Sequence, residues 1–482
     1  MSAATIGDGG EQTQAGLFGQ GELPVGRSAV EPAKTGGPAR VMSPQRDQVE
    51  LRAVDLESLL AADHPARTVW AFVQSMDLAP LYARIKSVAG RGGAPAIDPA
   101  ILVALWLWAT VDGVGSAREV DRLCERDDAY RWICGGVGVN YHSLADFRTE
   151  HEAWLDAQLT RSIASLLDRR LVTLNVVAQD GLRVRAHAKA SSFRRREKLA
   201  ELHAQAQAQV DALKRELAED AGASTRRKQA AVERAARERE QRLAAALATM
   251  DKLQRKPLPE RKAPKPSKRR GRKDDGPGDA GKIDPEPKPK PESEPRVSST
   301  DADARVMKMA DGGFRPAFNA QLTVDADTQL IAAVAVVNSG SDMGQMSPMH
   351  QDIQQRYATT PDHWLADGGF TKLQAIDELT ARGTQPVLPP PSSRNPDIDP
   401  LMPKASDTPA QAQWRSFMAS DLAKALYIRR GATVECANAQ LRRRGLARFN
   451  VCGLIKARAV LLWHALAHNL MRMRSLNIAV AG

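Results

Sequence analysis

The strand pattern of this chain is interrupted by a long segment that cannot belong to a sheet, and this interruption constrains the fold most. Residues 171–178 form a nearly continuous apolar run, as in a strand that is buried on both faces. Strand patterns resume only after the segment 197–297, where residues 318–337 have the pattern of a β-hairpin. We therefore expect one α/β domain in two parts, 169–196 and 298–475, with an insertion between them.

The predicted insertion has two parts of different composition. Residues 197–254 are rich in Ala, Glu, Arg, Lys, Leu and Gln with apolar residues at helical spacing, which predicts a helical hairpin or short coiled coil. Residues 251–290 hold eight prolines, no aromatic residue and a net charge of +7. Such a segment is expected to be an extended, solvated linker.

The region before the first strand divides in the same way. Residues 1–46 are rich in Gly, Ala, Pro and Ser without periodicity, which predicts a disordered leader. Residues 47–168 show helical spacing, a helix start at Asp98-Pro99 and glycine turns between short helices. This pattern fits a helix-turn-helix-like DNA module or a plain helical bundle, and pattern alone leaves both open.

The charge is placed unevenly along the chain. The formal net charge of the chain is +11. Residues 421–474 carry +9 and the linker carries +7, so the rest of the chain has a net charge of −5. The C-terminal segment is therefore where a polyanionic partner is expected.

Four cysteines without a C-x-x-C pair exclude a disulfide scaffold and fit a reducing cytosol. The longest apolar run has 12 residues, too short to cross a membrane, so we expect a cytoplasmic protein.

Three acidic residues stand out by their positions. Asp180 follows an apolar strand, Asp367 closes another strand and precedes two glycines, and Glu435 is expected in the first turn of an amphipathic helix. Arg442 lies seven residues after Glu435, within about 20° on the same helical face. Carboxylates of this kind hold Mg²⁺, and two such ions about 4 Å apart catalyse in-line displacement at phosphodiesters.

Each of these residues also has an ordinary structural explanation. An Asp at a strand end is usually a turn residue, and an acid in a first helical turn is stabilised by the helix dipole. The pair His464 and His468 has the spacing of two metal ligands, but apolar residues surround both, which favours a core helix. Taken singly, these residues do not establish a catalytic site.

The combined motifs resemble those of the DDE transposases of bacterial insertion sequences, in the group with a helical N-terminal domain and an RNase H-like core. The resemblance covers roughly residues 48–475 without the insertion. In the helical domain it rests on Ser116-Ala117-Arg118-Glu119, Tyr130-Arg131-Trp132, His142-Ser143 and Phe147-Arg148. In the core it rests on Val177-Ala178-Gln179-Asp180-Gly181, Thr300-Asp301-Ala302-Asp303-Ala304-Arg305, Phe318-Asn319-Ala320-Gln321, Leu365-Ala366-Asp367-Gly368-Gly369-Phe370, Tyr427, Arg430, Glu435, Arg442 and Ala467-His468-Asn469-Leu470.

The resemblance implies a fold and a chemistry. The fold would be an α/β RNase H-like catalytic core with a mixed sheet and flanking helices, an all-α N-terminal DNA-binding domain (47–168) and a helical or coiled insertion. Asp180, Asp367 and Glu435 would hold two Mg²⁺ ions, with Mn²⁺ as an alternative, for cut-and-paste cleavage at the element ends and strand transfer. The residues expected to contact DNA are Tyr427, Arg430, Arg442, Arg443, Arg444 and Arg148.

The same resemblance implies partners and alternatives. The expected partners are the terminal inverted repeats of the element, target DNA and a second copy of this chain in the DNA complex, with no membrane, in a bacterial cytoplasm at the nucleoid. Two departures from the family pattern are Cys436-Ala437, where relatives have Pro and Phe, and Arg442, where they have Lys. The alternative functions are a catalytically inactive DNA-binding protein derived from a transposase, and an RNase H-like nuclease without strand transfer.

Overall fold

The structure is a computed structural model, and it describes residues 55–87, 94–219, 226–254, 294–392, 395 and 397–479. The leader expected at 1–46 and nearly all of the proline-rich linker expected at 251–290 lie outside the described residues. No helix among the described residues is long and apolar enough to cross a membrane.

Seven helices form the N-terminal part of the described chain. They are α1 (Pro65–Ser75), α2 (Ala79–Tyr82), α3 (Pro99–Val111), α4 (Ala117–Arg126), α5 (Asp128–Cys134), α6 (Tyr141–Glu150) and α7 (Glu152–Asp168). The predicted start of α3 is confirmed, because the Asp98 side chain accepts a hydrogen bond from the Ala100 amide and proline occupies the first helical position. Helix α6 begins at Tyr141, where the Asn140 side chain provides the cap by accepting from the Ser143 amide.

A mixed sheet forms the second part, as the sequence predicts. Its strands are β1 (Val176–Arg185), β4 (Arg305–Lys308), β5 (Phe314–Asp325), β6 (Ile331–Val337), β7 (His363–Leu365) and β8 (Gln385–Val387), and a separate pair consists of β2 (Phe193–Arg194) and β3 (Val297–Ser298). The order is β4-β5-β1-β7-β8, with β6 also paired to β5. Strand β1 is antiparallel to β5 and parallel to β7, and β7 is parallel to β8.

The first strand differs from its predicted limits. It begins at Val176 and continues to Arg185, whereas the apolar run predicted a strand over residues 171–178. Leu174 has a φ of 55°, a left-handed conformation that keeps the preceding apolar residues out of the strand. Pairing with β5 carries the strand through its polar second half, so Asp180 lies opposite Leu322 in mid-strand.

The insertion begins and ends at neighbouring points of the fold. Helices α8 (Arg196–Glu219) and α9 (Arg226–Gln254) pack on each other, which confirms the predicted helical hairpin. Strand β2 precedes the hairpin and pairs with β3, which follows the insertion, so Phe193 lies opposite Ser298. The hairpin has its own small apolar cluster, formed by Leu199, Ala206, Leu243, Ala246, Met250 and Val297. The β2–β3 pair therefore marks the two ends of the insertion, and it is separate from the main sheet.

The remaining helices cover the sheet and carry the site. They are α10 (Met346–Tyr357), α11 (Leu373–Ala381), α12 (Pro409–Ala419), α13 (Asp421–Arg430), α14 (Cys436–Arg443) and α15 (Leu454–Ser475). Helix α15 is buried along most of its length and packs against α3, α6, α7 and β6. The N-terminal helices and the sheet consequently share one hydrophobic core within residues 54–482.

The two histidines of α15 are core residues, as their apolar surroundings predicted. Both side chains are buried, and each makes a hydrogen bond to a backbone carbonyl: His464 Nδ1 to Val460 at 2.9 Å and His468 Nε2 to Gln329 at 2.9 Å. Burial lowers the pKa of each imidazole to about 4. Each ring is therefore neutral in the folded protein at pH 7.

Because His464 and His468 are buried in the neutral form, we expect the folded protein to lose stability in mild acid. In the unfolded chain each histidine binds its proton near pH 6.5, whereas in the folded protein it does so only near pH 4. The free energy of unfolding therefore falls as the pH drops through this window. The expected fall between pH 7 and pH 5 is about 2 kcal/mol per histidine. Substituting His468→Gln should reduce this difference, measured by urea unfolding at the two pH values. The exposed His142→Gln is the matched control, and an unchanged pH dependence in His468→Gln would contradict the assignment.

Candidate active site

The register of two parallel strands brings the first two acidic residues together. Val176 pairs with His363 and Ala178 with Leu365. Two residues further along each chain, Asp180 and Asp367 are therefore level with each other. The Asp367 side chain accepts a hydrogen bond from the Gly369 amide at 2.8 Å, which fixes it at the start of a short 3₁₀ turn. This confirms the prediction that Asp367 follows a strand and precedes a tight glycine turn.

Asp180 is a half-buried carboxylate. Its Oδ1 accepts from the Gly181 amide at 2.9 Å, and its Oδ2 accepts from Asn438 Nδ2 on α14 at 2.8 Å. Burial raises the pKa of Asp180 to about 6, the charge of Asp367 adds to this rise, and Arg430 opposes it. The two aspartates therefore form a region of concentrated negative charge that the surrounding protein neutralises only in part.

A chain of buried hydrogen bonds fixes the strands that carry these aspartates. Trp364 Nε1 on β7 donates to Gln179 Oε1 on β1 at 3.1 Å. Gln179 Nε2 donates to Gln321 Oε1 on β5 at 2.9 Å, and Gln321 Nε2 donates to Asp342 Oδ1 at 2.9 Å. Because an unpaired buried amide costs about 1–3 kcal/mol, this chain strongly favours a single register of the three strands.

Asp342 is a fourth acidic residue at the site, and sequence reasoning missed it. Its carboxylate also accepts from Asn319 Nδ2 at 2.6 Å and from Arg183 Nη2 at 3.1 Å. A Cβ on Gly181 would lie 2.0 Å from Asp342 Oδ1, so only glycine fits on β1 at this point. The local sequence around Asp342 contains no signal for this role, because all three donors are distant in the chain.

The third predicted acid lies in the middle of a long helical stretch and not in a first turn. Helices α13 and α14 are joined by a π-helical turn, Gly431–Glu435, so the chain is helical from Asp421 to Arg443. The helix-dipole explanation for Glu435 therefore does not apply. A π turn inserts one extra residue into a helix and changes the direction of the side chains on it.

Glu435 is held by an arginine of the same helical stretch. Its Oε1 accepts from Arg430 Nη2 at 2.7 Å, and its side chain is 57% exposed. The Arg430 guanidinium lies 5.6 Å from the centroid of the Tyr427 ring, a cation–π arrangement. Arg430 also lowers the pKa of Asp180, so this one cation interacts with both carboxylates.

The predicted DNA-contacting arginines differ in their exposure. Arg442 and Arg443 are exposed at the end of α14, while Arg444 is half-buried with its Nη1 3.5 Å from His468 Nδ1. Arg148 is buried: it donates to the Gly115 carbonyl at 2.6 Å and its guanidinium lies 4.7 Å from the centroid of the Trp106 ring. Burial lowers its pKa to about 10. The structure places Arg148 in the core, and its expected contact with DNA stays a prediction.

The carboxylates fit a divalent metal ion only in part. Asp180 and Asp367 offer adjacent oxygen ligands, and the raised pKa of Asp180 shows that added positive charge would stabilise its ionised form. Within the described residues, however, no group of three His, Cys, Asp or Glu side chains is arranged to hold a metal. The third predicted acid, Glu435, is paired with Arg430.

Two family models match the chain. A model described as Transposase DDE domain matches residues 292–470, and one described as Transposase domain (DUF772) matches residues 54–150. Together they match more than half of the chain. The first match contains Asp367 and Glu435, whereas Asp180 lies between the two matches. Comparisons with curated proteins and with solved structures found no match.

The environment of Asp180 predicts that removing its charge stabilises the protein. Its pKa rises from 3.8 to about 6 on folding, so folding stability is lost as the pH rises through this range. Asp180→Asn should be more stable than the unmodified chain at pH 7.5, by roughly 1–3 kcal/mol, and equal to it near pH 4. Urea unfolding in EDTA measures this, with the exposed Asp421→Asn as the control. Destabilisation of Asp180→Asn at pH 7.5 would contradict it.

Proposed function

Since this chain belongs to the DDE transposases of insertion sequences, we propose that it moves its element by a cut-and-paste reaction at the element ends. The family has an RNase H-like core, and the mixed sheet with flanking helices described above has this architecture. The observation that carries the proposal is the parallel register of β1 and β7, because it brings Asp180 level with Asp367. Two carboxylates in this position are suited to chemistry at a phosphodiester.

The proposed reaction has two steps. A water oxygen attacks the phosphorus at the element end, the bond to the 3′ oxygen breaks, and that oxygen leaves as a hydroxyl. The freed 3′ hydroxyl then attacks the phosphorus of a target phosphodiester, the bond from that phosphorus to the target's 3′ oxygen breaks, and the 3′ oxygen leaves as a hydroxyl while the element is joined to the target's 5′ phosphate. Both steps are in-line displacements, in which negative charge develops on the oxygens around phosphorus.

Members of this family generally use divalent metal ions, and we assign that role here to the three carboxylates. Asp180, Asp367 and Glu435 would hold two Mg²⁺ ions, or Mn²⁺, which when bound supply Lewis acidity and a more acidic water. Asp180 and Asp367 are already level with each other. Glu435 joins them in the proposal by leaving Arg430, whose guanidinium is then free to bind a DNA phosphate beside Tyr427.

The remaining partners follow from the family. DNA is the substrate, and we assign end recognition to the helical region matched by the second family model, residues 54–150. Arg442 and Arg443, exposed at the end of α14, are the further phosphate contacts we propose. A second copy of the chain would hold the other element end, and the protein would act at the nucleoid of a bacterial cytoplasm.

One observation favours the alternative of a DNA-binding protein without cleavage activity. Glu435 is paired with Arg430, so the described residues do not form a three-carboxylate site. In this alternative the ion pair is permanent and DNA binding does not open it. A cleavage experiment separates the two functions, because only the transposase breaks the strand at the element end.

We expect Mg²⁺-dependent cleavage of a DNA fragment that carries the terminal repeats of the element. Asp367→Asn should lower the rate on the order of a thousandfold, since it removes one of the two adjacent carboxylates. Strand scission on denaturing gels provides the measurement, and Asp421→Asn, whose side chain is fully exposed, should cleave normally. Cleavage that persists in Asp367→Asn would exclude this site, and repeat binding without cleavage in the unmodified chain would favour the alternative.

Metal binding can be tested without any reaction. An ion that binds only the folded state stabilises it by about 2.7 kcal/mol at a concentration 100 times its Kd. Mg²⁺ should therefore raise the urea midpoint of the unmodified chain and of Asp421→Asn. It should not raise the midpoint of Asp180→Asn or Asp367→Asn. An equal rise in all four proteins would show that the ion binds elsewhere.

A further inference from the structure

A basic groove adjoins the carboxylate site at Gly181. Its volume is about 730 Å³. The charged residues that line it, in the described part of the chain, are Arg183, Arg185, Lys308, Arg315, Arg442 and one acid, Asp311. We call this surface the β1 groove. Arg185 and Lys308 lie in the stretches Arg185-Ala186-His187-Ala188 and Met307-Lys308, which also resemble the family motifs, whereas Arg183 and Arg315 lie in none of them.

Four elements of the fold converge on the β1 groove. Arg183 and Arg185 alternate with buried residues on β1, so their side chains share one face of the sheet with Gly181. Lys308 ends β4 and Arg315 lies near the start of β5, on either side of the turn that joins these paired strands. Arg442 comes from α14. Strand β7 pairs only with the first residues of β1. Further along this edge, the Arg185 amide donates to the Ala447 carbonyl and the Phe449 amide donates to the Arg185 carbonyl.

Three of the groove cations have no acidic partner in the part of the chain that the structure describes. Arg183 is paired with Asp342 at 3.1 Å and Arg315 with Asp311 at 2.7 Å. The other three cations are Arg185, Lys308 and Arg442, and their side chains are exposed. Among the described residues, no carboxylate lies within ion-pair distance of any of them. Cations that converge on a concave surface without counter-ions attract a polyanion strongly.

The lining also indicates which part of a nucleic acid fits. No aromatic side chain lines the β1 groove within the described residues, so it offers no platform for base stacking. Arginine and lysine side chains are the usual partners of phosphate oxygens, which position a nucleic acid without reading its sequence. The backbone of DNA is therefore the ligand that matches this surface.

We propose that the β1 groove binds the phosphate backbone of the DNA strand that enters or leaves the carboxylate site, through Arg185 and Lys308 together with Arg442. This proposal rests on the proposed function, because it assumes that DNA reaches Asp180 and Asp367. The contact is independent of base sequence. It adds to the arginines of α13 and α14 a second binding surface, built from β1, β4 and β5.

The test is DNA binding in EDTA, where cleavage does not interfere. Fluorescence anisotropy with two labelled 30-bp duplexes, one from the element end and one of scrambled sequence, gives Kd as a function of salt. For Arg185→Ala/Lys308→Ala we expect the slope of log K against log salt to fall by about 1.8, and binding at 0.1 M salt to be roughly 10- to 60-fold weaker. Arg185→Lys/Lys308→Arg should bind like the unmodified chain.

A matched control removes the same charge elsewhere. Arg382→Ala/Lys404→Ala replaces two exposed cations, one after α11 and one between β8 and α12, while β8 is at the opposite edge of the sheet from β4. Its slope should not change. If the groove variant loses equal affinity for both duplexes, the groove binds the backbone that element and target DNA have in common. If it loses more affinity for the element-end duplex, the groove binds the donor strand.

The experiment distinguishes a failure of the groove proposal from a failure of the proposed function. If the unmodified chain binds both duplexes and the Arg185→Ala/Lys308→Ala variant retains its affinity and slope, the groove proposal is wrong and the proposed function stands. If the control double variant loses as much as the groove variant, the effect is one of net charge and the groove proposal is likewise overturned. If the unmodified chain binds neither duplex, both the groove and the transposase function are contradicted.

Discussion

The register between β1 and β7 is the constraint on which the rest of the site depends. A slip of one residue would move Asp180 to the opposite face of the sheet and remove it from Asp367. Apolar side chains alone resist such a slip weakly when both faces of a strand are buried. Gln179 supplies the missing specificity, since its amide is bonded to Trp364 on β7 and Gln321 on β5. The polar residue next to the carboxylate thus fixes where the carboxylate lies.

The insertion is compatible with this constraint because of where its ends lie. A long segment between strands of one sheet would ordinarily place a large entropic cost on their pairing, although this cost grows only slowly with length. Here β2 and β3 pair with each other and bring the two ends of the insertion together. Helices α8 and α9 then bury their own apolar residues. The main sheet is assembled from β1 and β5 as if the insertion were a short connection.

Much of the fold follows from apolar periodicity, and the errors share one physical cause. The β5–β6 hairpin and the helical hairpin of the insertion are confirmed, because local pattern determines them. The predicted end of β1 and the predicted helix start near Glu435 were wrong, and the burial of Arg148 was not predicted. Each depends on tertiary partners: pairing with β5 extends β1, the π turn continues α13, and Trp106 and Gly115 enclose Arg148. For the same reason, Asp342 had no signal in its local sequence.

The alternation of a single strand explains how strong charges of both signs are held next to each other. Asp180 faces the side of β1 that contacts Asn438 of α14, whereas Arg183 and Arg185 face the other side with Gly181. Arg183 is three residues from Asp180 and therefore on the opposite face, where it pairs with Asp342 and not with Asp180. Arg430 is the exception, since it reaches Asp180 electrostatically and binds Glu435 directly. The net charge of +11 describes neither arrangement, because what matters at this site is which face of β1 each charge occupies.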